Sequence, residues 1–184
     1  MALTVKIPRT ITHEKKLRDW QSDISSFLSV FQRLNPKLKC LLARLPPSSS
    51  YEDDLTALAE FVSNSKDSLA DLRVAVELRS HPFFRDENSD MLGENDVCVV
   101  WAFNQYMRDF PPKVTGELLY VRFIGDRRLV KFDRVQIDRT QVLEEFGRGS
   151  ALSLTLLTNL LCSPITISLG LRWEQSNSSK KSQV

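Results

Sequence analysis

The chain of 184 residues carries 42% hydrophobic and 26% charged side chains, which excludes wholesale disorder and predicts one domain with a real core. Its 25 basic and 23 acidic residues leave a net charge of +2, too weak a field to imply nucleic acid or a membrane surface by itself. Cys40, Cys98 and Cys162 are odd in number and widely spaced, which indicates neither a disulfide framework nor a metal motif and fits a reducing, cytoplasmic setting. Met1 to Lys6 lacks a charged start followed by an apolar run, so no signal peptide is expected.

The first strand is predicted over Leu3 to Ile7, followed by a loop through Pro8 and His13. Ile24, Phe27, Leu28, Phe31 and Leu34 recur at helical spacing, and Asn35-Pro36 stops that helix. Leu38 to Leu45 is a near-continuous apolar run, as expected of a strand covered on both faces, and Pro46-Pro47 ends it. Ser50 caps the next predicted helix, whose buried stripe is Leu55, Leu58, Ala59 and Val62. Strands follow at Leu72 to Leu78, Val97 to Phe103 and Leu118 to Ile124, with short helices at Arg85 to Met91 and Thr140 to Phe146.

This alternation predicts an α/β fold of βαβ units on a parallel sheet, about five strands in all, either open or part of a closed barrel. Glycine-rich phosphate loops and the hydrolase nucleophile elbow are absent from the sequence. Beyond Asp138 the character changes. Gly149 to Leu171 has no charge and enough length to span a bilayer, but its many Ser and Thr residues dilute the apolar signal and argue against a membrane helix. Ser176 to Val184 reads as a disordered polar tail.

Alternation within the strands is the most informative feature. Val74, Val76 and Leu78 share one face, and Ala75, Glu77 and Arg79 the other. Likewise Lys6 opposes Val5 and Ile7, Arg44 opposes Ala43 and Leu45, and Arg122 opposes Val121 and Phe123. A strand face under helices should carry no charge. The charges are therefore expected to face away from the helices at the C-terminal strand ends, where parallel barrels build their sites. Lys6, Arg44, Glu77, Arg79 and Arg122 would make a positive pocket for a phosphate, carboxylate or polyhydroxy ligand, with Glu77 beside Lys6 as general base. The alternative is a set of structural ion pairs closing the end of a barrel. His13 and His81 lie in loops that reach the same end, Trp101 there serves packing or ligand stacking, and Arg127, Arg128, Lys131 and Arg134 form a solvated face or a phosphate loop. No metal set is indicated, and the sequence names no cofactor or oligomeric state.

Five segments in order resemble one family: Val5-Lys6-Ile7-Pro8-Arg9 with Ile11-Thr12-His13-Glu14; Leu41-Leu42-Ala43-Arg44-Leu45-Pro46-Pro47; Val74-Ala75-Val76-Glu77-Leu78-Arg79; Val99-Val100-Trp101-Ala102; and Tyr120-Val121-Arg122-Phe123-Ile124-Gly125. The family is the YecE-like domain of unknown function 72, whose members are TIM-like barrels. The resemblance spans roughly Leu3 to Arg139. It implies an incomplete (β/α)8 TIM-like barrel over residues 1–147, with strands resembling the third to the seventh. Arg44 stands where glutamine is usual, and the family's Arg-His-Pro appears here as Arg79-Ser80-His81-Pro82. The Asn-Asn pair of the eighth strand is missing. With suitable codons, a one-base shift across Leu161 to Ser168 gives Val-Phe-Thr-Asn-Asn-His-Phe, so residues 148–184 are expected to be an atypical, frameshifted tail.

Three functions follow from these readings. The family resemblance implies a sugar isomerase-like barrel acting on an anionic or sugar-like small molecule, with Glu77 and Lys6 as the acid/base pair and Arg79 and Arg122 holding the anion. A nucleic-acid or nucleotide binding module would use the positive mouth and the Arg127 to Arg134 run. An inactive, truncated remnant would do neither.

Overall fold

Four short apolar runs lie side by side as a parallel sheet. They are β1 (Leu3–Lys6), β2 (Leu38–Arg44), β3 (Arg73–Glu77) and β4 (Val97–Val99), in that spatial order. This computed structural model describes residues 3–31, 37–47, 51–69, 72–103, 114–116, 118–124, 138, 140, 141, 144 and 167–172. Helices α1 (Gln21–Ser29), α2 (Tyr51–Ser68) and α3 (Asp86–Glu94) alternate with the strands. A second sheet has the order β5 (Trp101–Phe103), β6 (Leu118–Phe123), β7 (Ile167–Arg172). Among the described residues the strands do not close into a barrel. The chain divides into two compact units: Met1–Trp101, Pro111–Tyr120 and Gly170–Val184 form one, and Ala102–Phe110 with Val121–Leu169 the other.

The period of two decides what each strand buries. Val74 and Val76 of β3 and Leu41 and Ala43 of β2 enter the helix-side core with Ile7, Leu45 and Leu78. Ile24 of α1, Leu58, Phe61 and Val62 of α2 and Leu92 of α3 meet them there. The ring of Trp20 packs edge-on against Phe61, with centroids 4.9 Å apart. The other face carries the residues one position out of phase. Lys6 lies beside Leu42, Leu42 beside Ala75, Ala75 beside Cys98, and Arg44 beside Glu77. Leu42, Ala75 and Cys98 are buried yet stand outside the helix-side core.

The predicted strand Val97 to Phe103 is two strands in two sheets. Val100 N still donates to Val76 O at 2.9 Å, continuing the parallel ladder past β4. At the other edge of β4, Thr115 Oγ1 accepts from Val99 N at 2.8 Å and donates to Val97 O at 2.7 Å. One hydroxyl thus satisfies the backbone pair that a further strand would otherwise engage. In the tail, residues 167–172 form a strand that the aperiodic sequence did not announce. Ser50, Asn35, Pro36, the Arg127 to Arg134 run and residues 145–166 and 173–184 lie outside the described residues.

Between β1 and α1 the backbone is unusual. Thr10–Glu14 is a single π-helical turn, and Lys16, Leu17 and Asp19 follow with φ of 51°, 64° and 46°. None is glycine, so each pays the steric penalty of the left-handed region. Buried Leu17 and Trp20 hold the loop down. Lys16 Nζ lies 3.3 Å from Asp54 Oδ1, and Arg18 donates to Asp53 O at 2.9 Å, tying it to α2.

Two stability measurements check this account. Asp19 is exposed, and Asp19→Gly should relieve the left-handed strain and stabilise the protein by about 0.5 kcal/mol in urea unfolding. Thr115→Val keeps the shape and strands two buried backbone groups, so it should cost about 2 kcal/mol; a neutral result would show that β4 does not depend on that hydroxyl.

Candidate functional site

Glu77 ends β3 on the face away from the helices and is 0% exposed. Its Oε1 lies 3.0 Å from Arg44 Nε and 4.0 Å from Arg79 Nε. A carboxylate so placed needs opposite charge, because desolvation alone would cost several kcal/mol. The register supplies it: Arg44 is the cross-strand neighbour of Glu77, and Leu45 N bonds to Glu77 O at 3.1 Å, fixing β2 against β3 at this level. The two arginine side chains remain 18% and 25% exposed.

His13 stands in the π turn that follows β1. The turn is closed by Lys15 N donating to Thr10 O at 2.8 Å, five residues apart, a geometry often found at functional positions. Thr12 is fully buried, and its N and Oγ1 both point at Pro8 O, at 3.1 and 3.2 Å. Thr12 Oγ1 also lies 2.8 Å from His13 Nδ1. Burial lowers the pKa of His13, and the charges of Arg9, Lys6, Arg44 and Arg79 lower it further. Four cations, from β1, the residue before the π turn, the end of β2 and the segment after β3, thus act on one imidazole.

Of the residues expected from the sequence, Lys6, His13, Arg44, Glu77 and Arg79 come together. His81 opens the 3₁₀ turn His81–Phe83 and is exposed. Trp101 is half-buried at the start of β5, in the same compact unit. Arg122 is buried in β6 and belongs to the other unit. Sequence reasoning overlooked Arg9 and Thr12. Both sit in the segment between Val5 and Glu14, but a π turn has no 3.6-residue signature to flag them. Among the described residues no three His, Cys, Asp or Glu side chains are grouped to hold a metal ion. Cys40 and Cys98 are buried, and burial pushes both thiols up to about 12, far from nucleophilic thiolates.

A parallel sheet interleaved with helices is the arrangement that the resemblance implies. The profile of the protein family of unknown function DUF72 matches residues 2–149. The chain belongs to the DUF72 family. The crystal structure of a DUF72 protein from Thermotoga maritima superposes with a TM-score of 0.64 at 22% identity, over 86% of this chain and 63% of the other. That likeness concerns the fold and agrees with a TIM-like architecture. The DUF72 chain thus spans less than two thirds of the length of this relative. No curated protein sequence matches it. No helix among the described residues is long and apolar enough to cross a membrane.

The His13 shift has a consequence for pH. The folded DUF72 chain resists protonating His13, whereas the unfolded chain protonates it at its ordinary value of 6.5. This contribution to stability is complete above that value and is lost as pH falls through the lower folded value. Urea midpoints measured from roughly pH 8 to pH 5 should decline on the acid side in the wild type and decline less in His13→Gln. Identical acid profiles would remove His13 as the cause.

Proposed function

We propose that the helix-free face of the parallel sheet binds a small anionic ligand of the sugar phosphate type, in an isomerase-like member of this fold. The observation that carries the proposal is the clustering of cations at the C-terminal strand ends. Lys6, Arg9, Arg44 and Arg79 all act on His13, and the carboxylate among them, Glu77, is fully buried and bound to two of them. Glu77 orients the two guanidiniums, whose planar forks suit phosphate or carboxylate oxygens. Lys6 is exposed on β1 and adds a further positive charge. An anion seated here would relieve the mutual repulsion of the cations. His81 and Trp101 are assigned to the rim, for contact with the uncharged part of the ligand. The free, buried thiols Cys40 and Cys98 suit a reducing, cytoplasmic setting.

Other readings predict other outcomes. An inactive remnant binds no anion. The nucleic-acid alternative rests on Arg127 to Arg134, which lies outside the described residues.

Inorganic phosphate should raise the thermal midpoint of the wild-type chain in a concentration-dependent way, and added salt should weaken the effect. Arg79→Gln should weaken phosphate binding about tenfold, the loss of one charged hydrogen-bonding partner. Arg79 is chosen over Arg44 because it stands farther from Glu77 and its loss disturbs that buried carboxylate less. A wild-type midpoint indifferent to millimolar phosphate would sink the proposal and favour the remnant.

A further inference from the structure

We infer that His13 is the proton acceptor of this site, presenting an unprotonated Nε2 toward the ligand while Thr12 holds its Nδ1–H. The inference rests on the anion-binding reading above and assigns it a base.

Three contacts fix the tautomer. The Thr12 hydroxyl has one proton and lies 3.2 Å from Pro8 O. A carbonyl oxygen only accepts, so the hydroxyl proton points at Pro8 O. The contact of 2.8 Å between Thr12 Oγ1 and His13 Nδ1 must then be made with the imidazole proton. The opposite assignment, with Thr12 donating to Nδ1, leaves two oxygen lone pairs facing each other in a fully buried position. With Nδ1 protonated, the lone pair of the neutral ring is on Nε2. Pro8 O also accepts from Thr12 N at 3.1 Å, so the hydroxyl is pinned through the backbone of the π turn.

The surrounding charges keep that lone pair open. Lys6 from β1, Arg9 before the π turn, Arg44 from β2 and Arg79 beyond β3 all disfavour an imidazolium. Glu77 binds Arg44 and Arg79, and Glu14, the next residue in the chain, is exposed. Glu77 itself has Oε1 engaged by two guanidiniums and has no exposed surface, so the acceptor role falls to the half-buried His13.

The step this permits is a proton transfer. A proton leaves a hydroxyl-bearing carbon next to a carbonyl of the bound ligand and joins Nε2. The C–H electron pair becomes part of an enediolate, and the oxyanion formed is met by a guanidinium. The hydroxyl proton passes to the oxyanion, the imidazolium returns its proton to the former carbonyl carbon, the neighbouring C–O becomes the new carbonyl, and the enzyme is restored without any co-reactant. The ligand's own charge matters here. Bound beside the cations, an anion offsets them and raises the basicity of Nε2, so the base becomes effective when the site is filled.

Imidazole 15N NMR of the intact chain tests this, with inorganic phosphate as the probe. At neutral pH His13 should be the Nδ1–H tautomer, with a midpoint below 6.5 that rises on saturation with phosphate. Thr12→Val should abolish the tautomer preference without unfolding the chain. An Nε2–H tautomer, or a midpoint at or above the ordinary histidine value, would overturn the inference. If the Nδ1–H tautomer and low midpoint are found but phosphate moves neither, the anion-binding reading fails, the acceptor role falls with it, and only the tautomer set by Thr12 stands.

Discussion

Burying a carboxylate costs several kcal/mol unless opposite charge and hydrogen bonds replace the lost water. Glu77 has no exposed surface, so the architecture at this end of the sheet must meet that requirement. Arg44 meets it because the parallel register sets it directly beside Glu77, and Arg79 reinforces it from two residues further along the chain. One carboxylate thus holds both guanidiniums in place. Lys6 and Arg9 add further positive charge, and the burial of His13 together with these cations lowers its pKa. The carboxylate therefore sets the order of the site.

How much of this was legible follows from what each signal encodes. Period-two alternation records which face is apolar, and it correctly separated Val74 and Val76 from Ala75 and Glu77 because a helix-covered face tolerates no charge. It also placed Lys6, Arg44 and Arg79 on the opposite side. Alternation carries no information about where a strand changes sheets. The run Val97 to Phe103 reads as one strand, yet its free edge is taken by Thr115, a residue far along the chain. Arg9 and Thr12 escaped for a related reason. Their positions depend on a π turn, whose five-residue closure leaves no apolar stripe.

The loop from Lys15 to Trp20 shows the cost of placing His13. A chain leaving a parallel strand would ordinarily run straight into its crossover helix. Here it first closes a π turn and then passes through three left-handed residues, none of them glycine. Such strain persists only where neighbours over-determine the backbone. Leu17 and Trp20 are buried in the helix-side core, while Lys16 and Arg18 reach the start of α2. The same core that stabilises the sheet therefore also holds the turn that carries His13.

The site depends on local register and not on barrel closure. Lys6, Arg9, His13, Arg44, Glu77 and Arg79 come from three adjacent strands and the turns that follow them, all within one compact unit. Each pairwise relation is fixed by contacts inside that stretch: Lys6 by its pairing with Leu42, Arg44 by Glu77, and Thr12 by Pro8. Closing a sheet into a barrel would change how much solvent reaches the exposed Lys6, and so the screening of the cations. It would not change which residues face one another. Ligand affinity is accordingly the property most sensitive to what covers this face, whereas the tautomer of His13, set by Thr12 and Pro8 alone, is the property least sensitive to it.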